Sequence, residues 1–166
     1  MISFPLVPNA PLRGWRLDRQ SHAGTWDSGL GAHALGGRWN LQGVHAVYAS
    51  LDPATAILEV AVHKGFKVLD SVAHALSMFE IHDQSDLFIV SPESVPNPNW
   101  LVPGTPSLGQ QAFGRDLLTQ YPFIAIPSAV SRHSWNIIFT PSMAQGKYTL
   151  VHQERFALDT RLNAPH

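Results

Sequence analysis

His45-Ala46-Val47-Tyr48-Ala49-Ser50 followed by Leu51-Asp52-Pro53-Ala54-Thr55-Ala56-Ile57-Leu58-Glu59-Val60-Ala61-Val62-His63-Lys64-Gly65 is the stretch that decides the fold. The first six residues form a short apolar run rich in strand formers, so they read as a strand. Asp52 is a natural N-cap, and Pro53 suits the first helical position, where its missing N–H costs nothing. The helix runs through Ala56, Ile57, Leu58, Val60, Ala61 and Val62, and Gly65 is its C-terminal stop. Upstream, glycine concentrates between Gly24 and Gly43, which reads as a loop leading into the strand. Downstream, Ala75–Ile81 and Leu87–Val90 are strand-like, and the proline-rich connection Ser91 to Pro106 interrupts regular structure. A second helix is expected over Leu108–Gln120, then strands at Phe123–Ile126, Asn136–Thr140 and Tyr148–Gln153. Many strands and two helices, in no βαβ alternation, imply an α+β class with a strand-rich core.

The chain has 166 residues, a length suited to one domain over 1–166. Eleven Lys and Arg against twelve Asp and Glu give a formal net charge of −1, without the basic excess of a protein that wraps nucleic acid. No cysteine is present, which excludes disulfides, thiolate metal sites and a cysteine nucleophile. The start, Met1-Ile2-Ser3-Phe4-Pro5, lacks a secretory pattern, and no apolar run approaches the ~20 residues that span a bilayer. A cytoplasmic protein without a membrane contact is the expectation. Nine histidines are scattered without an HExxH pair, so no metal is expected.

Three constellations carry chemistry. In Gly36-Gly37-Arg38-Trp39-Asn40, two glycines let the backbone turn and approach a ligand, and the arginine fork suits paired phosphate oxygens. Tyr48, on the following strand, offers an aromatic face to a heterocycle. Read alone, such an arginine is more often a solvated charge on a turn and such a tyrosine more often core. Glu59 lies within an apolar helix; either it belongs to an outward polar stripe with Thr55 and His63, or it meets a cationic ligand in a cleft. An oxocarbenium-like ribosyl centre is such a ligand. Ser128, in Ile126-Pro127-Ser128-Ala129-Val130, follows an apolar strand without a Gly-x-Ser-x-Gly elbow or an identified base. It reads as a hydrogen-bonding residue or a turn serine, not a nucleophile.

Arg38, Glu59 and Ser128, in this order and these contexts, resemble the RES-domain family, named for an Arg, a Glu and a Ser. The resemblance extends over Trp15-Arg16, Gly36-Gly37-Arg38-Trp39-Asn40, Val47-Tyr48-Ala49-Ser50, Ala56-Ile57-Leu58-Glu59-Val60, Gly114, Pro127-Ser128-Ala129-Val130, Asn136 and Asp159-Thr160-Arg161-Leu162. Two departures stand out: Trp15 replaces a common Tyr, and Phe139-Thr140-Pro141-Ser142-Met143 lacks the usual Asn-Pro and His-Pro.

The resemblance implies a fold like that of ADP-ribosyltransferases and a toxin of a toxin–antitoxin pair. Such a toxin depletes cellular NAD⁺ by hydrolysis or phosphorolysis, needs no resident cofactor, and is silenced by an Xre-type helix-turn-helix antitoxin. Carried over by position, the pocket comprises Arg16, Arg38, Tyr48, Glu59 and Ser128, with Asn136 as a further member. In the mechanism this implies, Glu59 stabilises the ribosyl cation and Arg38, helped by Arg16, binds the pyrophosphate. Tyr48 packs on nicotinamide, Ser128 sets the pose, and water or inorganic phosphate is the acceptor. A mono-ADP-ribosyltransferase is the nearest alternative function, and a non-catalytic binding module the next.

Overall fold

The computed structural model of the protein describes residues 3–104 and 106–165. Its strands are β1 (Leu12–Arg19), β2 (Val47–Ser50), β3 (His74–Ile81), β4 (Leu87–Ile89), β5 (Phe123–Pro127), β6 (Trp135–Phe139) and β7 (Tyr148–Phe156). The helices are α1 (Leu30–Leu35), α2 (Pro53–Lys64), α3 (Phe66–Ser71), α4 (Leu108–Leu118) and α5 (Pro141–Ala144). The strands form one sheet in the order β4-β5-β6-β2-β1-β3-β7, antiparallel except where β4 lies parallel to β5. The class is α+β, as the mix of elements implies.

Helix α2 forms where its local chemistry directs. Asp52 accepts hydrogen bonds from the Thr55 amide at 2.8 Å and the Thr55 hydroxyl at 2.7 Å, which satisfies the opening turn. Gly65 ends the helix at φ +79°. Strand β1 was not anticipated, and three further features differ from the sequence expectation. The glycine-rich stretch Gly24–Gly43 is not all loop, because it holds α1 and part of a 3-10 turn. There are five α-helices among the described residues where two were expected. One parallel crossover, β4–α4–β5, is present, although no βαβ unit was anticipated.

Strand alternation sorts side chains to the two faces of the sheet. Val47, Ala49, Phe79, Phe123, Ile137 and Phe139 enter one apolar cluster, closed by Trp26 and Phe4. Phe79, Phe123 and Phe139 have no exposed surface, and each such burial contributes about 2–3 kcal/mol. The opposite face has two clusters. Ile124, Ile126 and Ile138 pack with Trp39, Trp100 and Leu118, while Leu17 and Leu76 pack with Ala61 of α2 and Leu69 of α3. Every residue of β5 is buried, since its strand is covered on both faces. Strand β1 pairs with β2 at Trp15↔Ser50, and the ladder continues through Ser50↔Asn136 and Ile126↔Asn136. Trp15, Ser50, Asn136 and Ile126 therefore form a transverse row on one face, the face on which α2 lies. No helix among the described residues is long and apolar enough to cross a membrane.

Candidate active site

Glu59 stands near the middle of α2, and α2 turns it toward the ends of β5 and β6. The Ser128 hydroxyl donates to Glu59 Oε1 at 2.7 Å, and Asn136 Nδ2 donates to the same oxygen at 2.6 Å. Among the described residues no donor meets Glu59 Oε2. Around the helix, Thr55 is buried against the cap, whereas Leu58 and Val62 are 37% and 59% exposed. An outward polar stripe of Thr55, Glu59 and His63 is thus absent; the carboxylate faces the protein while two aliphatic side chains face out. That inversion of the usual amphipathic order marks a position kept for something other than stability.

Ser128 is fully buried just past β5. Its amide donates to the Ser134 carbonyl at 2.9 Å, and the Ser131 amide donates to its Oγ at 3.1 Å. The hydroxyl thus accepts from the turn and gives its single proton to Glu59. Asn136 is held at its other end by Ser50, whose Oγ donates to Asn136 Oδ1 at 2.8 Å. Ser50, Asn136, Glu59 and Ser128 form one connected network at the site.

A second network fixes the Arg38 loop. Tyr48 donates its hydroxyl to Asn40 Oδ1 at 2.6 Å and accepts from the Trp39 amide at 3.0 Å. Asn40 is wholly buried and passes its Nδ2 hydrogens to the carbonyls of Ala32 and Leu41. A Cβ on Gly37 would lie 2.6 Å from the Tyr48 hydroxyl and 2.7 Å from Asn40 Oδ1, so the close approach requires glycine. Burial pushes the Tyr48 phenol well above its ordinary pKa of 10.0, which keeps it a donor at every working pH. From α4, Gln111 donates to the Gly37 carbonyl at 2.8 Å. Arg38 itself is half-buried and gives Nη1 to the Trp100 carbonyl at 2.8 Å. No carboxylate pairs with it among the described residues, so its charge stays uncompensated.

Arg16 differs. Its Nε and Nη2 both reach Asp18 at 2.9 Å, and its Nη1 donates to the Tyr48 carbonyl at 2.7 Å. The Asp18 carboxylate already neutralises this guanidinium, which ties β1 to β2 just beyond their pair at Trp15↔Ser50. The structure thus joins Glu59, Ser128 and Asn136, links Arg38 with Tyr48, and gives Arg16 an internal partner. The two networks share β2. Tyr48 and Ser50 are two residues apart on one face of that strand, hence about 6.6 Å apart along it.

Sequence reasoning missed Ser50, Asn40 and Trp100. For Ser50 and Asn40 the available signal was a polar residue in or beside an apolar segment that ends buried; for Trp100, which contributes a carbonyl, there was none.

The chain is similar to known proteins in both sequence and fold. The family model of the RES domain matches residues 13–159. The chain is 29% identical over 153 residues to Toxin Res of Photorhabdus laumondii, covering 89% of this chain and 95% of that protein. It is 30% identical over 152 residues to Toxin Res of Yersinia enterocolitica, covering 87% and 94% respectively. In structure it is similar to a chain of the M. tuberculosis MbcT–MbcA toxin-antitoxin complex, with a TM-score of 0.72 and 18% identity over 90% of this chain and 86% of the other.

Proposed function

The chain belongs to the RES-domain family, and on that premise we propose that it is the toxin of a toxin–antitoxin pair that cleaves NAD⁺ at the nicotinamide–ribose bond. The observation that carries this reading is Glu59 itself, a carboxylate bound on Oε1 by Ser128 and Asn136 and left without a described donor on Oε2. A fixed anion of this kind suits a cation that develops only during the reaction. As the bond from C1′ to the pyridinium nitrogen breaks, its electron pair neutralises nicotinamide, so the leaving group needs no proton. The positive charge moves to the ribosyl C1′–O4′ unit, opposite the Glu59 carboxylate. Water or inorganic phosphate then attacks C1′, giving ADP-ribose with release of a proton, or its 1-phosphate.

In this account Arg38 binds the pyrophosphate, since its charge is free, and Arg16 serves mainly to brace β1 against β2. The Tyr48 hydroxyl holds the Arg38 loop, which leaves only its ring for contact with nicotinamide. Ser128 and Asn136 orient Glu59 in preference to meeting the substrate directly. The fold is read as ADP-ribosyltransferase-like on the same grounds. A helix-turn-helix antitoxin of the Xre type laid across the outer side of α2 would cover the exposed Leu58 and Val62, and this supports a protein partner on the helix that carries Glu59.

The test is to incubate the purified, antitoxin-free chain with NAD⁺, with and without phosphate, and to follow nicotinamide by chromatography. Stoichiometric nicotinamide with free ADP-ribose or its phosphate is expected. Label transferred to a protein band would instead indicate a mono-ADP-ribosyltransferase, and intact NAD⁺ would overturn the catalytic reading in favour of a binding module.

A further inference from the structure

We infer that Ser50 is a positioning residue for Glu59, acting through the Asn136 amide; its effect on rate rests on the NAD⁺-cleaving reading above. Donor and acceptor capacity fixes the direction of each bond in this chain. An ionised Glu59 only accepts, so the Asn136 group 2.6 Å from it must be the NH₂. The Asn136 carbonyl oxygen then points the other way, toward Ser50, 2.8 Å from its Oγ. Facing an acceptor, Ser50 must donate. Glu59 therefore sets the direction of the chain Ser50→Asn136→Glu59, and the Ser50 hydroxyl anchors its far end by satisfying the Asn136 oxygen. Without it, the Asn136 oxygen loses its partner and the amide is free to twist, so its NH₂ no longer meets Glu59 at a fixed angle.

Ser50 is suited to this by its place in the sheet. It is 2% exposed, at the end of β2, at the pair where β1 joins β2. The same residue is paired with Asn136 across β2 and β6, so strand register holds donor and acceptor on one face. Ser128 pins Glu59 Oε1 from the neighbouring strand end, and two donors on one oxygen prevent the carboxylate from swinging. Its Oε2 is then held at one orientation toward the substrate. Ser50 does not touch substrate in this arrangement; it acts only through Asn136.

The experiment compares the parent chain with Ser50→Ala and Asn136→Asp. Nicotinamide release is measured across about pH 5 to 9, and the Asn136 side-chain amide resonances are recorded by ¹⁵N NMR. Ser50→Ala should lower kcat about 10- to 100-fold with KM held within a few-fold, because orientation and not binding is lost. It should also shift the Asn136 side-chain amide pair. Asn136→Asp sets a second carboxylate against Glu59, so one of the two retains a proton to higher pH and the acidic limb of kcat should rise by roughly a unit. Parental kcat or unmoved amide resonances in Ser50→Ala overturn the inference. Should that variant fail to fold, an unmoved acidic limb in Asn136→Asp does so. If the parent chain leaves NAD⁺ intact, the proposed reaction fails, while the amide resonances still decide the relay.

Discussion

Glu59 concentrates the chemical argument in one atom pair. Oε1 is saturated by Ser128 and Asn136, both donating, so a Glu59→Gln chain can keep both bonds through its amide oxygen. The substitution removes the charge while keeping the shape. We therefore expect turnover of NAD⁺ to fall by about 100-fold or more, the loss typical of removing a preorganised stabiliser of transition-state charge. Binding should change by only a few-fold, since the ribosyl cation is absent from the ground state. Isothermal titration with NAD⁺, alongside nicotinamide release, separates the two quantities; a Glu59→Gln chain with parental turnover would sink the electrostatic role. Glu59 was visible in the sequence as a misfit carboxylate in an apolar helix, whereas Ser128 and Asn136 entered the pocket only through the family resemblance, with no sign that they bond to it. Ser128 and Asn136 lie 69 and 77 residues away, and only the pairing of β5 with β6 beneath α2 brings them to it.

At the scale of elements, legibility followed locality. Helix α2 could be read in full because Asp52, Pro53 and Gly65 act within a turn of its ends. Strand β1 could not. Its sequence, Leu-Arg-Gly-Trp-Arg-Leu-Asp-Arg, has charges that break a clean alternation, and its place between β2 and β3 comes from distant partners. Helix α1 was hidden for a different reason: Gly29 and Gly36, at φ +65° and +74°, are its two caps, and capping glycines look the same as loop glycines in a sequence. Tyr48→Phe strips a hydroxyl from Asn40 Oδ1 and the Trp39 amide, two groups that then lack that partner in the interior. The expected cost is about 1–3 kcal/mol of stability. Gly37→Ala drives a methyl group into the same contact and should cost a similar amount, about 1–3 kcal/mol, with a displaced Arg38. Chemical denaturation of both variants checks this; a Gly37→Ala chain of parental stability would mean that the loop yields freely and does not fix Arg38.

For the whole molecule, the site sits on one face of the sheet while the largest aromatic cluster, Trp26, Phe79, Phe123, Phe139 and Tyr148, is built on the other. Stability and chemistry are thereby separated by the sheet, so changes at the ligand-facing side chains can alter binding without unfolding the chain. Arg38 is the sharpest case. It is half-buried, has one main-chain acceptor and carries an uncompensated charge, and so removing it leaves no buried carboxylate behind. A ligand that binds only the folded chain raises its stability by RT ln(1 + [L]/Kd), about 2.7 kcal/mol at a hundredfold excess over Kd. For a domain of this size that corresponds to an increase in Tm of about 5–10 °C. The Glu59→Gln chain, in which NAD⁺ persists, should show this increase, and adding Arg38→Ala should reduce it to about 2 °C or less at the same NAD⁺ concentration, with the ligand-free Tm little changed. Differential scanning calorimetry makes the comparison directly. An undiminished increase in the double variant would remove Arg38 from the pyrophosphate site and return Arg16, despite its partner Asp18, as the candidate cation.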